Sequence, residues 1–328
     1  MTTTRLISRC LALAACSLGL AASAVADDLD VVTTIKPVHA LVAEVMAGAG
    51  APHLLLDGGA SPHTYALKPS EVRRLGKANV IVRVSDRLET FLERPLKQVP
   101  KSVRIVSMDE STGMTFHKLR AGAGFEAHDH GHDHGHKHGH SHPRSAKQKS
   151  TAAGRPSDLD AHLWLDPMNA RAFVLHLGSV LATADPDRAT LYRTNAEAAA
   201  TRLTELDRTL AAKLAPLAGR PFLVFHDAYQ YAERRYGLTG AGSVTVNPEV
   251  PPSAKRLSAI RARLSKDGIV CVFAEPQFPP RAIDSILEGS TVRRAALDPL
   301  GAAIPEGPGH YTILMQELAG ALTACLAK

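Results

Sequence analysis

The chain has few aromatic residues, little excess charge and none of the common hydrolase signatures. Aromatic residues make up 5% of its 328 residues, which argues against a stacking platform for single-stranded nucleic acid. Setting aside Arg5 and Arg9 in the first 26 residues lowers the 38 basic residues to 36 against 32 acidic ones, a net charge of +4. This excess is too small to indicate nucleic-acid binding. The motifs HExxH and GxSxG are both absent, so neither a zincin nor a nucleophile elbow is indicated.

The chain also lacks a hydrophobic run long enough for a membrane-spanning helix. The apolar stretch from Leu11 is shorter than the ~20 residues that a span needs and is followed at once by Asp27. Two arginines before this stretch and small residues at its end are typical of a secretory signal peptide. We expect residues 1–26 to be removed after Ala26, leaving a periplasmic protein. A lipoprotein signal ending at Cys16 is the alternative.

Cysteine is scarce, and two of the four cysteines lie within the predicted signal peptide. Cys271 and Cys325 remain in the mature chain. A compartment outside the cytoplasm permits disulfides, so we expect these two residues to pair. A pair of buried free thiols is the alternative.

What the chain does have is a regular alternation of strand and helix patterns. The strand patterns cover 30–35, 79–84, 103–108, 222–225, 242–246, 269–273 and 292–297. The helical patterns cover 36–48, about 87–96, 168–184, 228–236, 253–265, 280–288 and the chain from about 311. This alternation predicts an α/β fold of two lobes, each with a parallel sheet flanked by helices.

One helical pattern is long enough to join the two lobes. It runs from Asp185, the expected N-cap, through 217, and about 30 residues of helix extend roughly 45 Å. We therefore expect an N-terminal lobe over 27–184, a rigid linking helix over 185–217 and a C-terminal lobe over 218–328. Residues 121–159 contain little besides polar residues and glycine, which predicts a disordered insertion in the first lobe.

Several polar side chains directly follow predicted strands, where open parallel sheets bind their ligands. His226, Glu275 and Asp298 each follow a strand of the second half, and His63 follows the short run "HLLL" of the first. With His162 in "HLWLDP", three imidazoles and a carboxylate or water could converge between the lobes. This donor set suits a tetrahedral Zn²⁺ ion. Asp227 is a candidate to orient His226.

Six motifs together resemble the periplasmic zinc-binding component of ZnuA-type ABC transporters. They are "SPHTYALKPSEVRRL", "HLWLDP", "FHDAYQYAERRYGL", "VNPEVPPSAKRL", "CVFAEPQF" and "LDPLG". The resemblance implies a metal bound between two lobes that a rigid helix joins, with His63, His162 and His226 as ligands and Asp298 or water in the fourth position. A manganese-binding branch has a carboxylate in place of the third histidine, so His226 favours zinc.

The same resemblance implies partners for the protein and a disulfide. It implies a monomeric binding protein, not an enzyme, that delivers zinc to an inner-membrane permease with its ATPase. It also implies that Cys271 pairs with Cys325.

The stretch "HDHGHDHGHKHGHSH" has a histidine at every second position. These residues are His128, His130, His132, His134, His136, His138, His140 and His142. The intervening glycines oppose one fixed geometry, so we expect several weak accessory metal sites. Three alternatives remain: a solvated spacer, a histidine-rich buffer or chaperone as the whole function, and a zinc hydrolase with an open metal position.

Overall fold

The computed structural model describes residues 28–122, 124–125, 158–245, 248 and 250–327. The predicted signal peptide, the histidine-rich stretch and the rest of 126–157 lie outside the described residues. The predicted disordered insertion over 121–159 is too wide at both ends, because Phe125 and Leu159 are buried and Leu159 forms a β-bridge with Lys118. Among the helices that are described, none is both long enough and apolar enough to cross a membrane.

Within the described residues, eight strands form two four-stranded sheets. They are β1 (Val31–Thr33), β2 (His53–Leu54), β3 (Val80–Arg83), β4 (Arg104–Ser107), β5 (Pro221–His226), β6 (Thr239–Thr245), β7 (Cys271–Ala274) and β8 (Arg293–Ala296). The sheet orders are β2-β1-β3-β4 and β6-β5-β7-β8, and every pairing is parallel. Each half of the chain therefore builds its own parallel sheet, as the alternating pattern predicts.

In the part of the chain that the structure describes, eight α-helices connect and cover these strands. They are α1 (Lys36–Val45), α2 (Pro69–Leu75), α3 (Pro167–Ala184), α4 (Ala189–Leu214), α5 (Gln230–Tyr236), α6 (Ala254–Lys266), α7 (Arg281–Leu287) and α8 (His310–Leu326). Two predictions differ from this set. The pattern at 87–96 forms the separate 3-10 turns Thr90–Leu92 and Pro95–Lys97, with Pro95 opening the second turn, and α2 has no counterpart in the predicted helices.

The alternation of side chains along β5 builds two cores in the second lobe. Phe222 and Val224 join the main core, whereas Leu223 and Phe225 point to the opposite face. That opposite face is covered by α6 and α7 through residues such as Ile260. Both faces of the sheet are thus buried, as expected for parallel strands.

Helix α4 belongs to the main core shared by the two lobes. Its apolar face includes Leu203 and Leu210, which are buried in the same cluster as Val32 of the first sheet and Phe273 of the second. It packs against α1, α3 and α8. A 3-10 turn, Pro186–Arg188, precedes α4, and a second, Ala215–Leu217, follows it, so the helical segment closely matches the predicted linking helix.

Cys271 and Cys325 form a disulfide, as the sequence and its resemblance predict. The bond joins the first residue of β7 to the last turn of α8. Both cysteines are buried in the main core. The last helix is thereby tied to the second sheet.

Candidate metal centre

Three histidines from distant parts of the chain meet where the two lobes face each other. His63 lies in the loop between β2 and α2, and His162 immediately precedes the 3-10 turn Leu163–Leu165 that leads into α3. His226 is the last residue of β5, at the carboxyl end of the second sheet. His162 and His226 are buried and His63 is half-buried. The topology therefore brings the predicted ligands together from both halves.

The ring nitrogens of these histidines are spaced as metal ligands would be. The Nε2 atom of His162 lies 3.3 Å from the Nε2 atoms of both His63 and His226. One ring nitrogen of each residue lies within 4.8 Å of the other two. Two nitrogens at ~2.0–2.1 Å from a tetrahedral zinc ion are roughly 3.3–3.4 Å apart. The spacing therefore matches a shared Zn²⁺ ion.

Carboxylates hold two of the imidazoles in the orientation that turns Nε2 inward. Asp160 Oδ1 lies 2.7 Å from His162 Nδ1, and Glu275 Oε1 lies 2.7 Å from His226 Nδ1. A carboxylate accepts, so each Nδ1 carries a proton and each neutral ring presents its Nε2 lone pair. Two lone pairs at 3.3 Å repel unless a cation lies between them. The arrangement is the carboxylate–histidine–metal pattern of zinc sites.

The electrostatic environment shifts the pKa values of His63 and His226 in opposite directions. Burial, together with the neighbouring His162 and His226, lowers the pKa of His63 well below its usual range. Burial alone would also lower the pKa of His226, but the carboxylates of Glu275, Asp227 and Asp160 outweigh it, so this pKa is raised. Burial alone would raise the pKa of Asp160, but the charge interaction with His162 and hydrogen bonds from His162 and Gln230 outweigh it, so this pKa is lowered. His63 is thus neutral near pH 7, and Asp160 is ionised.

The imidazoles line a small cavity with a mainly apolar wall. Trp164, Phe278 and Leu300 contribute to that wall, and the Trp164 indole N–H donates to Pro299 O at 2.8 Å. Trp164 therefore helps to shape the pocket beside His162. Tyr65 does not line this cavity and instead donates to Glu71 and contacts the ring of Phe91.

Asp298, the predicted candidate for the fourth ligand, is not part of the histidine group. Its Oδ1 accepts from Leu300 N at 3.0 Å and from Gln277 Nε2 at 2.7 Å, and its Oδ2 accepts from Ala302 N at 2.6 Å. Both oxygens are therefore occupied by protein donors.

The orientation of His226 by Asp227 was a wrong prediction. The Asp227 carboxylate pairs with Arg120, whose guanidinium also binds Glu233, and Glu275 is the residue that orients His226. The sequence analysis also missed Asp160 and Gln277. Asp160 could have been found from its position two residues before His162, a spacing at which an aspartate accepts from a nearby backbone N–H. The His162 N–H does donate to Asp160 Oδ1, at 3.0 Å.

The comparisons with known proteins agree with this geometry. Residues 31–325 match the ZnuA family, described as the periplasmic component A of a zinc-uptake complex. "High-affinity zinc uptake system protein ZnuA" from Brucella suis is 41% identical over 306 residues, covering 91% of this chain and 92% of the relative. The protein of the same name from Yersinia pestis is 33% identical and covers 90% and 91%.

The fold agrees as well. A crystal structure of ZnuA superposes with a TM-score of 0.73 at 22% identity, covering 92% of this chain and all of the other. The match to the family spans nearly the whole described chain, and the two curated relatives exceed 30% identity over nine-tenths of it. The chain therefore belongs to the ZnuA family of periplasmic zinc-uptake components.

Proposed function

We propose that this protein binds one Zn²⁺ ion through the Nε2 atoms of His63, His162 and His226, with water in the fourth position. The observation that carries the proposal is the 3.3 Å spacing of inward-facing Nε2 atoms, two of which are turned inward by carboxylates on Nδ1. Water is favoured over Asp298 because both oxygens of that carboxylate already accept hydrogen bonds. Three histidines and an open position are a recurrent zinc donor set.

The zinc ion is cargo, not a catalyst, in this proposal. The two carboxylates nearest the imidazoles, Asp160 and Glu275, are each bound to a histidine Nδ1. Neither is a free general base beside the metal, as a zinc hydrolase would need. Curated relatives are named as high-affinity zinc uptake proteins, which supports uptake as the function here.

Delivery completes the proposed function. Residues 1–26 are a signal peptide that is removed on export, and the mature monomer works in the periplasm. There the loaded protein docks on an inner-membrane ABC permease and its ATPase. Residues 27–184 and 218–328 form the two lobes, and the helix over 185–217 fixes their spacing while zinc holds their facing loops together. The histidine-rich stretch collects zinc for the site.

A zinc titration of three variants tests the binding site. Competition against a chromophoric chelator should give one tight equivalent for the wild type and for a variant in which a short Gly-Ser linker replaces residues 126–157. His63→Ala should lose that equivalent. His176→Ala is the matched control, because His176 lies on α3 and does not line the cavity.

The same titration separates uptake from buffering. If the tight equivalent were lost in the linker variant and kept in His63→Ala, the histidine-rich stretch would be the binding site. The protein would then be a metal buffer, and the proposed site would be wrong.

A further inference from the structure

Gln277 lines the same cavity as the three histidines and has a fixed amide. It follows β7 by three residues and lies two residues after Glu275, which orients His226. Its Nε2 donates to Gly58 O at 3.2 Å and to Asp298 Oδ1 at 2.7 Å. Both neighbours are acceptors only, so the nitrogen of the amide must face them. The orientation of the amide is therefore fixed, because only its nitrogen can donate to these two acceptors.

The amide oxygen of Gln277 consequently has no donor. Oε1 is shielded from solvent and has no hydrogen-bond partner in the part of the chain that the structure describes. A buried acceptor without a donor is costly, so such a group indicates a ligand or water that completes the site. The three imidazoles that would hold zinc line the same cavity as Gln277.

We propose that Gln277 is the positioning residue for the fourth zinc ligand, with Oε1 accepting a hydrogen bond from the zinc-bound water. This inference rests on the proposed zinc site. A water molecule on zinc uses its lone pair for the metal and keeps two protons to donate, so it supplies the donor that Oε1 lacks. The hydrogen bonds within the protein stay as they are, and the water on the zinc ion gains one oriented hydrogen bond.

Asp298 acquires a role in this arrangement without touching the metal. Its carboxylate is fixed by the backbone N–H groups of Leu300 and Ala302, and it fixes the Gln277 amide in turn. It therefore acts through Gln277 on the fourth position, for which the resemblance implied Asp298 or water.

The amide also joins the two lobes at the loop that carries His63. Gly58 lies five residues before His63 and has a φ of +91°, which favours glycine. A Cβ at this position would lie 3.2 Å from Ala302 Cα, so the loop packs closely on the second lobe. The bond from Gln277 to Gly58 O lies at this contact. Gln277 thus contacts the loop of one ligand while lining the site from the other lobe.

Two glutamine substitutions and a control test the role of Oε1. Gln277→Met keeps the approximate length of the side chain but neither accepts nor donates a hydrogen bond to the water. Loss of a hydrogen bond to a zinc ligand typically costs 10–100-fold in metal affinity. We therefore expect the zinc dissociation constant to be about tenfold larger. Gln98→Met, at an exposed position, should bind as the wild type does. Gln277→Asn withdraws the amide by one methylene and replaces the methionine variant if that one does not fold.

Cobalt separates positioning of the water from packing. The visible absorption of Co²⁺ bound at the site reports the fourth ligand, so the Gln277 variants should shift its bands and Gln98→Met should not. Weaker binding with unchanged Co²⁺ bands would mean that Gln277 only packs the lobes together, and the inference would be overturned. Absence of exchangeable water deuterons near Co²⁺ in the wild type, measured by electron–nuclear double resonance in D₂O, would also overturn it.

The two proposals fail in different ways. If His63→Ala keeps the tight equivalent, the histidine site itself is wrong. If His63→Ala loses it and both Gln277 variants retain wild-type affinity and Co²⁺ bands, only the role of Gln277 is wrong.

Discussion

At the scale of single residues, His226 combines burial with a carboxylate on its far nitrogen. Glu275 holds Nδ1 at 2.7 Å, and its charge is the main influence that opposes the burial of the ring. The same contact has two effects on metal binding. It turns Nε2 toward the cavity, which favours zinc, and it favours the protonated ring, which competes with zinc.

The pH dependence of zinc binding follows from this competition. The pKa of His226 is raised above 6.5 in the metal-free protein, so the ring begins to gain a proton above that pH as the solution is acidified. Zinc binds the neutral ring, so apparent affinity should fall as pH drops through this region, with increasing release of protons on binding. Titration calorimetry in buffers of different ionisation enthalpy measures that release at pH 8 and pH 6.5.

Glu275→Gln gives the matched comparison. Without the carboxylate, burial should lower the pKa of His226, so the variant should release fewer protons than the wild type at pH 6.5. Its zinc affinity at pH 8 should be about 10–100-fold weaker, because the imidazole is less well oriented. Equal proton release at pH 8 and pH 6.5 in the wild type would contradict the assignment of His226 as a ligand.

The sequence predicts the clustered histidines better than the groups around them. His226 and Glu275 directly follow strand patterns, and the carboxyl ends of parallel strands converge, so their proximity follows from topology. Asp227 and Glu275 are equally plausible partners for His226 by sequence. The difference arises from Arg120, which is distant in sequence and occupies Asp227. Such competition between tertiary contacts has no signature in a single sequence.

At the scale of elements, the strands were predictable and the short helical turns were not. β3 has three consecutive β-branched residues and β4 has two, so the strand pattern of both is visible without long-range information. The pattern at 87–96 has helical spacing, but Pro95 divides it into two turns. α2 is seven residues long and only Leu75 within it is buried, so its apolar periodicity is too weak to detect.

Helices α3 and α4 approach each other closely at Gly178. A Cβ at this position would lie 2.5 Å from the Ala196 side chain and 3.2 Å from Tyr192 O, so Gly178→Ala should force the helices apart. We expect a loss of roughly 1–2 kcal/mol in the free energy of unfolding, since overpacking outweighs the gain in helix propensity. Denaturant unfolding of the metal-free protein measures it.

Gly320 in α8 provides the control for that substitution. The nearest atom to a Cβ there is Lys213 Nζ at 3.7 Å, an ordinary contact. Gly320→Ala should therefore raise the free energy of unfolding by about 0.5–1 kcal/mol through helix propensity. If both substitutions stabilised the protein equally, the inference that α3 and α4 are too close for a side chain at Gly178 would be wrong.

At the scale of the whole molecule, the two sheets share one core. Side chains from β1, β3, β5 and β7 all belong to the cluster that α1, α3, α4 and α8 complete. The lobes are therefore joined by packing along the helices as well as by the chain. This continuity gives the histidine loops a fixed frame. It was predicted only in part, because the sequence indicated a linking helix but not that the helix packs into a core shared by both sheets.

The disulfide ties this shared core to the end of the chain, so its removal should affect stability and leave zinc binding intact. Cys271 begins β7, while Glu275 follows the other end of that strand, so the bond and the metal site lie at opposite ends of one strand. Closing a loop with a sequence separation of 54 is worth roughly 4 kcal/mol by chain entropy. The double variant Cys271→Ala/Cys325→Ala should lose about that much in denaturant unfolding.

Two further measurements complete this test. The wild type treated with dithiothreitol should show the same loss of stability as the double variant, which separates the missing bond from the alanine side chains. The zinc affinity of the folded double variant should stay within a few-fold of the wild type, since Glu275 and His226 are positioned by β7 and β5 pairing that the bond does not create. A large loss of affinity would show that the covalent tie, rather than the packing of the sheet, holds the carboxyl ends of these strands in place.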